Sequence, residues 1–128
     1  MFPTGEHKAR LQSILWTSRL DAARAFYQEA LGLPLRGVSD GALVFDVGGG
    51  DLRVSPVPAT TPSAHTVMGF AVNDLDATVA NLVDRGITFE RFAQFRHEPN
   101  GAVTTLDGAR VAWFRDPDGN LLSVVQFA

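Results

Sequence analysis

The stretch WFRDPDGNLLS, residues 113–123, joins two apolar runs through the tight turn Asp116-Pro117-Asp118-Gly119. Proline presets its backbone for a turn, aspartate bonds to nearby backbone groups, and glycine accepts a positive φ. The flanking segments ARVAWFR (residues 109–115) and NLLSVVQF (residues 120–127) have the length and composition of strands. The stretch therefore predicts a β-hairpin whose second strand contains Ser123.

The first half of the chain contains a matching hairpin. The strand-like segments ALVFDV (residues 42–47) and DLRVSPV (residues 51–57) flank the glycine turn Gly48-Gly49-Gly50. This glycine run opens a strand rather than a helix, so it does not predict a phosphate-binding loop. Residues 33–38 and 87–95 each predict one further strand.

Each half also contains one amphipathic helix. The first is predicted to begin near Arg19 and to end at Gly32. The second begins near Leu75, with Asn73 or Asp74 as its cap, and ends at Gly86. Apolar side chains at helical spacing give each helix a stripe that faces a core. The stripes are Leu20, Ala23, Tyr27 and Leu31 in the first helix and Leu75, Val79, Leu82 and Val83 in the second.

The two halves repeat one pattern. SRLDA at residues 18–22 resembles NDLDA at residues 73–77, an offset of 55. An apolar segment of strand length precedes each helix, LQSILWT in the first half and TVMGFAV in the second. Each half thus reads as strand, helix and three strands, and neither can bury its apolar face alone. We predict a single domain over residues 1–128, with a first βαβββ module at 11–56, a connector at 57–65 and a second module at 66–127.

Composition narrows the class of protein. The chain has 128 residues, 45% of them hydrophobic and 20% charged, which fits a globular domain with its own core. The lack of cysteine excludes disulfides, thiolate metal sites and cysteine nucleophiles. A net charge of −3 without a basic cluster argues against nucleic acid as a partner. No apolar run approaches the ~20 residues of a membrane span, and the first residues lack the apolar region of a signal peptide. We predict a cytoplasmic protein with no membrane partner.

Three motifs together resemble the vicinal oxygen chelate (VOC) superfamily, the group of glyoxalase I, bleomycin-resistance proteins and extradiol dioxygenases. The resemblance covers roughly residues 11–127. It implies an α+β fold in which two βαβββ modules form curled mixed sheets around a concave pocket, and it implies a homodimer. The motifs are Phe26-Tyr27 followed by Leu31-Gly32-Leu33, the helix entry Asn73-Asp74-Leu75-Asp76, and Phe114-Arg115-Asp116-Pro117-Asp118-Gly119-Asn120.

The resemblance also implies four positions at which metal-dependent members hold a divalent ion, on the first and last strands of the modules. Counting from the motifs places three of them on Gln12, Val67 and Ser123. Matching the glycines of the two hairpins places the fourth on Val54. Valine has no donor atom, and a neutral serine hydroxyl is a poor ligand. We therefore predict no metal and no cofactor.

Strand alternation extends these positions into an apolar and aromatic pocket lining that suits an organic ligand. Two alternatives stay open: a bulge brings Trp113 inward instead of Phe114, or the same side chains fill a closed core. The loop RHEPNG either is solvated or closes over the pocket mouth. The predicted ligand pocket consists of Gln12, Ile14, Trp16, Phe45, Leu52, Val54, Val67, Gly69, His97, Glu98, Phe114, Leu121 and Ser123.

A different register of the strand that contains Val67 would provide one possible metal ligand. His65 lies two residues before Val67 and has the same strand parity. A shift of two residues would bring its imidazole into the pocket.

Three functions remain. The leading prediction is a metal-free protein that binds a small, partly aromatic organic molecule as its partner. The alternative is a VOC-type enzyme, a lyase, isomerase or dioxygenase, which uses a divalent metal through shifted ligands or a metal-free pocket. Its catalytic residues are not identified by the sequence, so enzyme activity is left open. The third is an oligomerising module without a ligand.

Overall fold

The first half of the chain forms a four-stranded mixed sheet in the computed structural model, which describes residues 1–128. The strand order is β1-β4-β3-β2, with β1 parallel to β4 and the other neighbours antiparallel. Helix α1 continues directly into a π-helical segment. The elements are a 3-10 turn (Gly5–His7), β1 (Gln12–Thr17), α1 (Leu20–Arg24), the π-helical segment (Ala25–Ala30), β2 (Leu35–Ser39), β3 (Ala42–Val47) and β4 (Gly50–Pro56).

The second half repeats this arrangement in a sheet of order β5-β8-β7-β6, with β5 parallel to β8. The chain divides into two compact units, Met1–Thr60 and Thr61–Ala128, and the division falls within the predicted connector. The α+β class with two open, curled sheets is confirmed. The elements are β5 (Met68–Ala71), α2 (Leu75–Asp84), β6 (Val103–Thr104), β7 (Arg110–Arg115) and β8 (Leu121–Gln126).

The core of the first unit forms where the helical segment packs on the sheet. Ala23 and Tyr27, from the predicted stripe, are fully buried, and the Tyr27 ring lies 6.0 Å from that of Phe45. Burying a large apolar side chain contributes about 1.5–3 kcal/mol. The helix ends at Gly32, whose φ of +70° lets the Leu33 amide donate to the Tyr27 carbonyl over 3.0 Å.

Helix α2 is fixed at its start by two side chains. The Asp74 carboxylate accepts from the Ala77 amide at 3.0 Å, and Gln126 Oε1 of β8 accepts from the Leu75 amide at 2.8 Å. These contacts satisfy amides that have no partner within the helix. Leu75, Val79 and Leu82 are buried as predicted, whereas Val83 is 52% exposed, so the predicted stripe was one residue too wide.

The strand predicted at residues 87–95 is wrong. Only an isolated bridge between Phe89 and Phe114 forms there, and the Phe95 amide donates to the Phe92 carbonyl over 3.0 Å in a turn. The aromatic residues of this segment are spaced by three residues, which suits a turn and not the two-residue period of a strand. The edge of the second sheet is instead β6, at Val103–Thr104.

The helices of the structure are too short or too polar for any of them to cross a membrane.

Candidate functional site

Each sheet has one face that its own helix covers and a second face, which we call the open face. In the first sheet, Phe45 marks the covered face because its ring contacts Tyr27 of the helical segment. In the second sheet, Gln126 and Arg110 mark it because their side chains bond to α2. Side chains alternate along a strand, so the strand register assigns every other residue to one of the two faces.

The open face of the first sheet carries an exposed apolar row along β1. Gln12, Ile14 and Trp16 lie on it, as predicted, and Ile14 and Trp16 are 57% and 59% exposed. The neighbouring row on β4 is polar. The pairs across these two strands are Gln12 with Asp51, Ile14 with Arg53, and Trp16 with Ser55.

The facing predicted for Phe45, Leu52 and Val54 is wrong, because all three lie on the covered face and are at most 1% exposed. The reason is the difference between the two hairpin loops. The pair Val47–Gly50 closes a two-residue turn, whereas the pair Arg115–Leu121 closes a loop of five residues. Matching the glycines of these loops shifts β4 by one residue, and a one-residue shift moves every side chain to the opposite face.

Arg53 is the residue of β4 that corresponds to Ser123 of β8. Arg53 pairs with Ile14, and Ser123 pairs with Gly69, the counterpart of Ile14 in the repeat. The half-buried Arg53 side chain donates from Nη2 to the Ser39 carbonyl at 2.9 Å. A permanent cation therefore occupies the position predicted for Val54.

The carboxylates on the first open face are already paired with other arginines. Asp51 contacts Arg10 at 2.6 Å and Arg36 at 3.1 Å, and Asp46 contacts Arg36 at 3.1 Å. Arg53 forms no ion pair with any of these carboxylates. Its charge is therefore left without a carboxylate partner.

The open face of the second sheet is mainly apolar, with one hydroxyl near its centre and Arg115 at its end. Val67 extends the ladder by donating its amide to the Leu121 carbonyl at 2.9 Å, and Gly69 pairs with Ser123. Leu121 and Ser123 are 6% and 7% exposed. Ser123 Oγ lies 2.7 Å from the position that a Cβ would take at residue 69, so the glycine makes room for the hydroxyl.

Trp113, and not Phe114, lies on this open face. Phe114 pairs with Leu122, is fully buried, and contacts the Phe89 ring at 5.5 Å. Trp113 pairs with Ser123 and so shares its face. The alternative that the sequence left open is correct at this position.

Trp113 is covered by an aromatic cluster from the segment before β6. The Phe95 ring stacks on it at 5.5 Å with an interplanar angle of 11°, and Phe92 meets it edge-on at 5.4 Å. Phe95 remains 44% exposed. This cluster was not predicted from the sequence, where the only signal for it is the density of aromatic residues at 89–97.

His97 holds this segment in place with both ring nitrogens. Nε2 accepts from the Phe92 amide at 2.9 Å, which makes Nδ1 the donor to the Gly101 carbonyl at 2.7 Å. Both contacts need the neutral ring protonated at Nδ1. Both ring nitrogens of His97 therefore bond to the backbone of its own loop, and neither is directed at a ligand.

The Glu98 carboxylate also has its partners within the protein, in an ion-pair network. Both of its oxygens accept from Arg110, at 3.0 and 3.2 Å, and Arg110 also donates to both oxygens of Asp76, at 2.8 and 3.0 Å. Asn100 Nδ2 adds a bond of 2.8 Å to Asp76. The hydrogen bond from Arg110 is the largest effect on the pKa of Asp76 and lowers it. Desolvation opposes this effect, and the charge of Arg110 and the bond from Asn100 add to the lowering. The network joins β7, the 97–102 loop and α2.

The residues present do not fit the divalent metal that the family resemblance implies. The first sheet offers Gln12 and Arg53 at the expected positions, and the second offers Val67 and Ser123. A guanidinium repels a cation, and valine has no lone pair to donate. His65 is exposed in a bend before β5, outside the strand ladder. No group of three His, Asp or Glu side chains could hold a metal ion anywhere in the chain.

A groove of about 550 Å³ lies on the other side of the second unit, between α2 and the segments at 87–91 and 99–100. Its polar residues bond mainly to one another or to backbone: Asn100 to Asp76, and Arg91 to the Glu98 and Pro99 carbonyls. Polar groups that are paired in this way are not directed at a ligand, so the groove is not the candidate site.

Comparison with protein families gives one match over most of the chain. The model described as "Glyoxalase/Bleomycin resistance protein/Dioxygenase superfamily" matches residues 9–124. A comparison with curated proteins gives no significant match.

Solved structures of similar fold cover nearly the whole chain. A lactoylglutathione lyase from Agrobacterium tumefaciens is 21% identical with a TM-score of 0.70, covering 95% of this chain and 96% of its own. A glyoxalase/bleomycin resistance protein from Catenulispora acidiphila is 22% identical with a TM-score of 0.70, covering 93% and 98%. A glyoxalase/bleomycin resistance protein/dioxygenase from Alicyclobacillus acidocaldarius is 20% identical with a TM-score of 0.69, covering 93% and 91%. At this level of identity, the similarity shows a shared fold.

Proposed function

Because the chain belongs to the glyoxalase/bleomycin resistance protein/dioxygenase superfamily, we propose that it is a metal-free member that binds a small, partly aromatic organic molecule. The observation that carries the proposal is the set of side chains at the four expected ligand positions: Gln12, Arg53, Val67 and Ser123. The fourth position was predicted to be Val54, which is only inert toward a metal ion. Arg53 lies there instead, and its positive charge opposes metal binding.

Exposed aromatic side chains supply the second support for an organic ligand. Trp16 is 59% exposed on an open sheet face, and Phe95 is 44% exposed above Trp113. A flat aromatic surface gains both from leaving water and from ring stacking when a planar ligand covers it. Burial of these surfaces by a ligand would therefore be favourable without any metal.

Binding is favoured over turnover by the contacts of His97 and Glu98. These were the loop side chains available to a metal-free enzyme, and a general base needs a free nitrogen or oxygen within hydrogen-bond reach of the substrate. The ring of His97 bonds to backbone at both nitrogens, and the carboxylate of Glu98 bonds to Arg110 at both oxygens.

The test is a fluorescence titration with N-phenyl-1-naphthylamine, a neutral aromatic probe that brightens when it leaves water. Protein without a tag is dialysed against EDTA and titrated alone, and then again after addition of Zn²⁺ or Ni²⁺. We expect saturable binding, close to one probe per chain, with a Kd that does not change when metal is added.

A probe that binds only after metal addition would overturn the metal-free part of the proposal. Linear, unsaturable fluorescence in every condition would overturn ligand binding itself and would favour the oligomerising module. The matched control is Trp16→Ala, which should weaken probe binding because it removes the exposed aromatic surface of the first sheet.

A further inference from the structure

We infer that the ligand is an organic anion, that Arg53 selects its acidic group, and that Trp16 receives its aromatic part. This inference rests on the proposed function and names the ligand class for it. Arg53 is then a specificity-determining residue of the first open face.

The charge balance around Arg53 is the first argument. Its side chain is half-buried and has a backbone carbonyl as its partner, while Asp46 and Asp51 are engaged by Arg36 and Arg10. An incoming anion would supply the counter-ion that no carboxylate of the structure gives to this guanidinium. A guanidinium carries five N–H donors in a planar fork, and the contact with Ser39 uses one of them.

The geometry of the strand pairs is the second argument. Arg53 stands beside Ile14, and the next pair along the same face is Trp16 with Ser55. The bond to Ser39 holds the Arg53 guanidinium over β3 and β2, on the side of β4 that faces away from β1. Neighbouring strands lie about 4.8 Å apart, so a ligand whose ring rests on Trp16 must reach across β4, about 10 Å, for its acidic group to meet Arg53. The exposed side chain of Ile14, next to Trp16 on β1, widens the apolar surface at the aromatic end of such a ligand.

The second open face offers no equivalent for an anion. Its hydroxyl, Ser123 Oγ, is packed against Gly69, and Arg115 on the same face is neutralised by Glu90 at 2.8 Å. An acidic group would therefore be directed to Arg53 and not to the second sheet. Arg115 supplies a matched control for the loss of one positive charge.

Two probes that differ in one sulfonate test the inference. Anilinonaphthalene-8-sulfonate is an anion, and N-phenyl-1-naphthylamine has the same rings without the acid. Both are titrated into wild-type protein, Arg53→Gln, Arg53→Lys and Arg115→Gln, with thermal unfolding as the check on folding. We expect Arg53→Gln to weaken the anion about tenfold, the loss of one charge-assisted contact, and to leave the neutral probe within about twofold.

The other variants sharpen the result. Arg53→Lys keeps the charge, so its Kd for the anion should stay within about threefold of wild type, and Arg115→Gln should match wild type with both probes. Equal weakening of both probes by Arg53→Gln, or an unchanged anion Kd, would overturn the inference while the proposed function stands. Failure of both probes to bind wild-type protein saturably would overturn the proposed function as well.

Discussion

The two sheets share one backbone plan but differ in what their open faces display. The first leaves Trp16 uncovered beside a row of charged and polar side chains. The second covers Trp113 with a loop, and its one charged side chain, Arg115, is paired with Glu90. The open faces differ because the segment that joins the helix of each unit to its hairpin differs in length. In the first unit it runs from Ala30 to β3 at Ala42, and in the second from Asp84 to β7 at Arg110.

This difference gives the two units of the repeat different surfaces. The longer segment of the second unit brings Phe92, Phe95 and His97 over Trp113, which consumes aromatic surface and hydrogen-bonding groups for stability. The shorter segment of the first unit leaves Trp16 and Arg53 available. We infer that the second unit is the more strongly self-stabilised and the first the more available to a ligand.

The two tryptophans give the largest expected contrast. Trp113→Ala removes the surface on which two phenylalanines pack and should lower the free energy of unfolding by about 3 kcal/mol. Trp16→Ala removes a mostly exposed side chain and should change it by about 0.5 kcal/mol or less. Urea unfolding of the two variants measures both values, and equal destabilisation would remove the distinction between the units.

His97 tests whether the loop is held by hydrogen bonds. His97→Ala leaves the Phe92 amide and the Gly101 carbonyl without their partner and should cost about 2 kcal/mol of stability. His65→Ala is the control, because His65 is exposed, and it should behave as wild type in the same urea titration. A stable His97→Ala protein that had lost a measurable turnover would instead assign the ring a catalytic role.

Gly69 tests the close contact with Ser123. A Cβ at residue 69 would lie 2.7 Å from Ser123 Oγ, so Gly69→Ala should destabilise the second unit by about 1–2 kcal/mol. The double variant with Ser123→Ala removes the obstructing oxygen and should recover most of this loss. Additive effects in this double-mutant cycle would mean that the two residues do not share the space.

The smallest expected effect concerns the pKa of Asp76. Arg110→Met removes its main hydrogen-bond donor, so the pKa of Asp76 should rise towards its ordinary value of 3.8. A lowered carboxyl pKa stabilises the fold at pH values above the ordinary one, and this contribution is lost as the pH falls through the lowered value. NMR titration of the carboxyl resonance measures the shift, and identical titration curves in both proteins would contradict the role of Arg110.

The sequence predicted local structure well because turns, caps and apolar spacing act over a few residues. The hairpin around Asp116 and the cap at Asp74 are examples. It failed at Val54 because the lengths of the hairpin loops set the register, and the glycines do not mark equivalent positions. The cluster over Trp113 was not predictable for a related reason: its contacts join positions far apart in the chain, and no period connects them.

The one-residue shift of β4 also determines which side chain lies at the expected ligand position. The sequence placed an inert valine where the structure places Arg53, and thus missed the one charged candidate on the first open face that lacks a carboxylate partner. Gln12 and Ser123 were placed on the correct faces because the nearby motifs fix the register of β1 and β8. A ligand-binding role for these residues stays a prediction.

The metal content of the protein is the measurement that decides whether it is a metal-free member of the superfamily. Tag-free protein is incubated separately with Ni²⁺, Zn²⁺, Fe²⁺ and Mn²⁺, freed of excess ion, and measured by inductively coupled plasma mass spectrometry. We expect that no first-row metal stays bound near one per chain, because a guanidinium and a valine occupy two of the four expected positions. Retention of one ion per chain would contradict it and would make a metal-dependent lyase, isomerase or dioxygenase the better account.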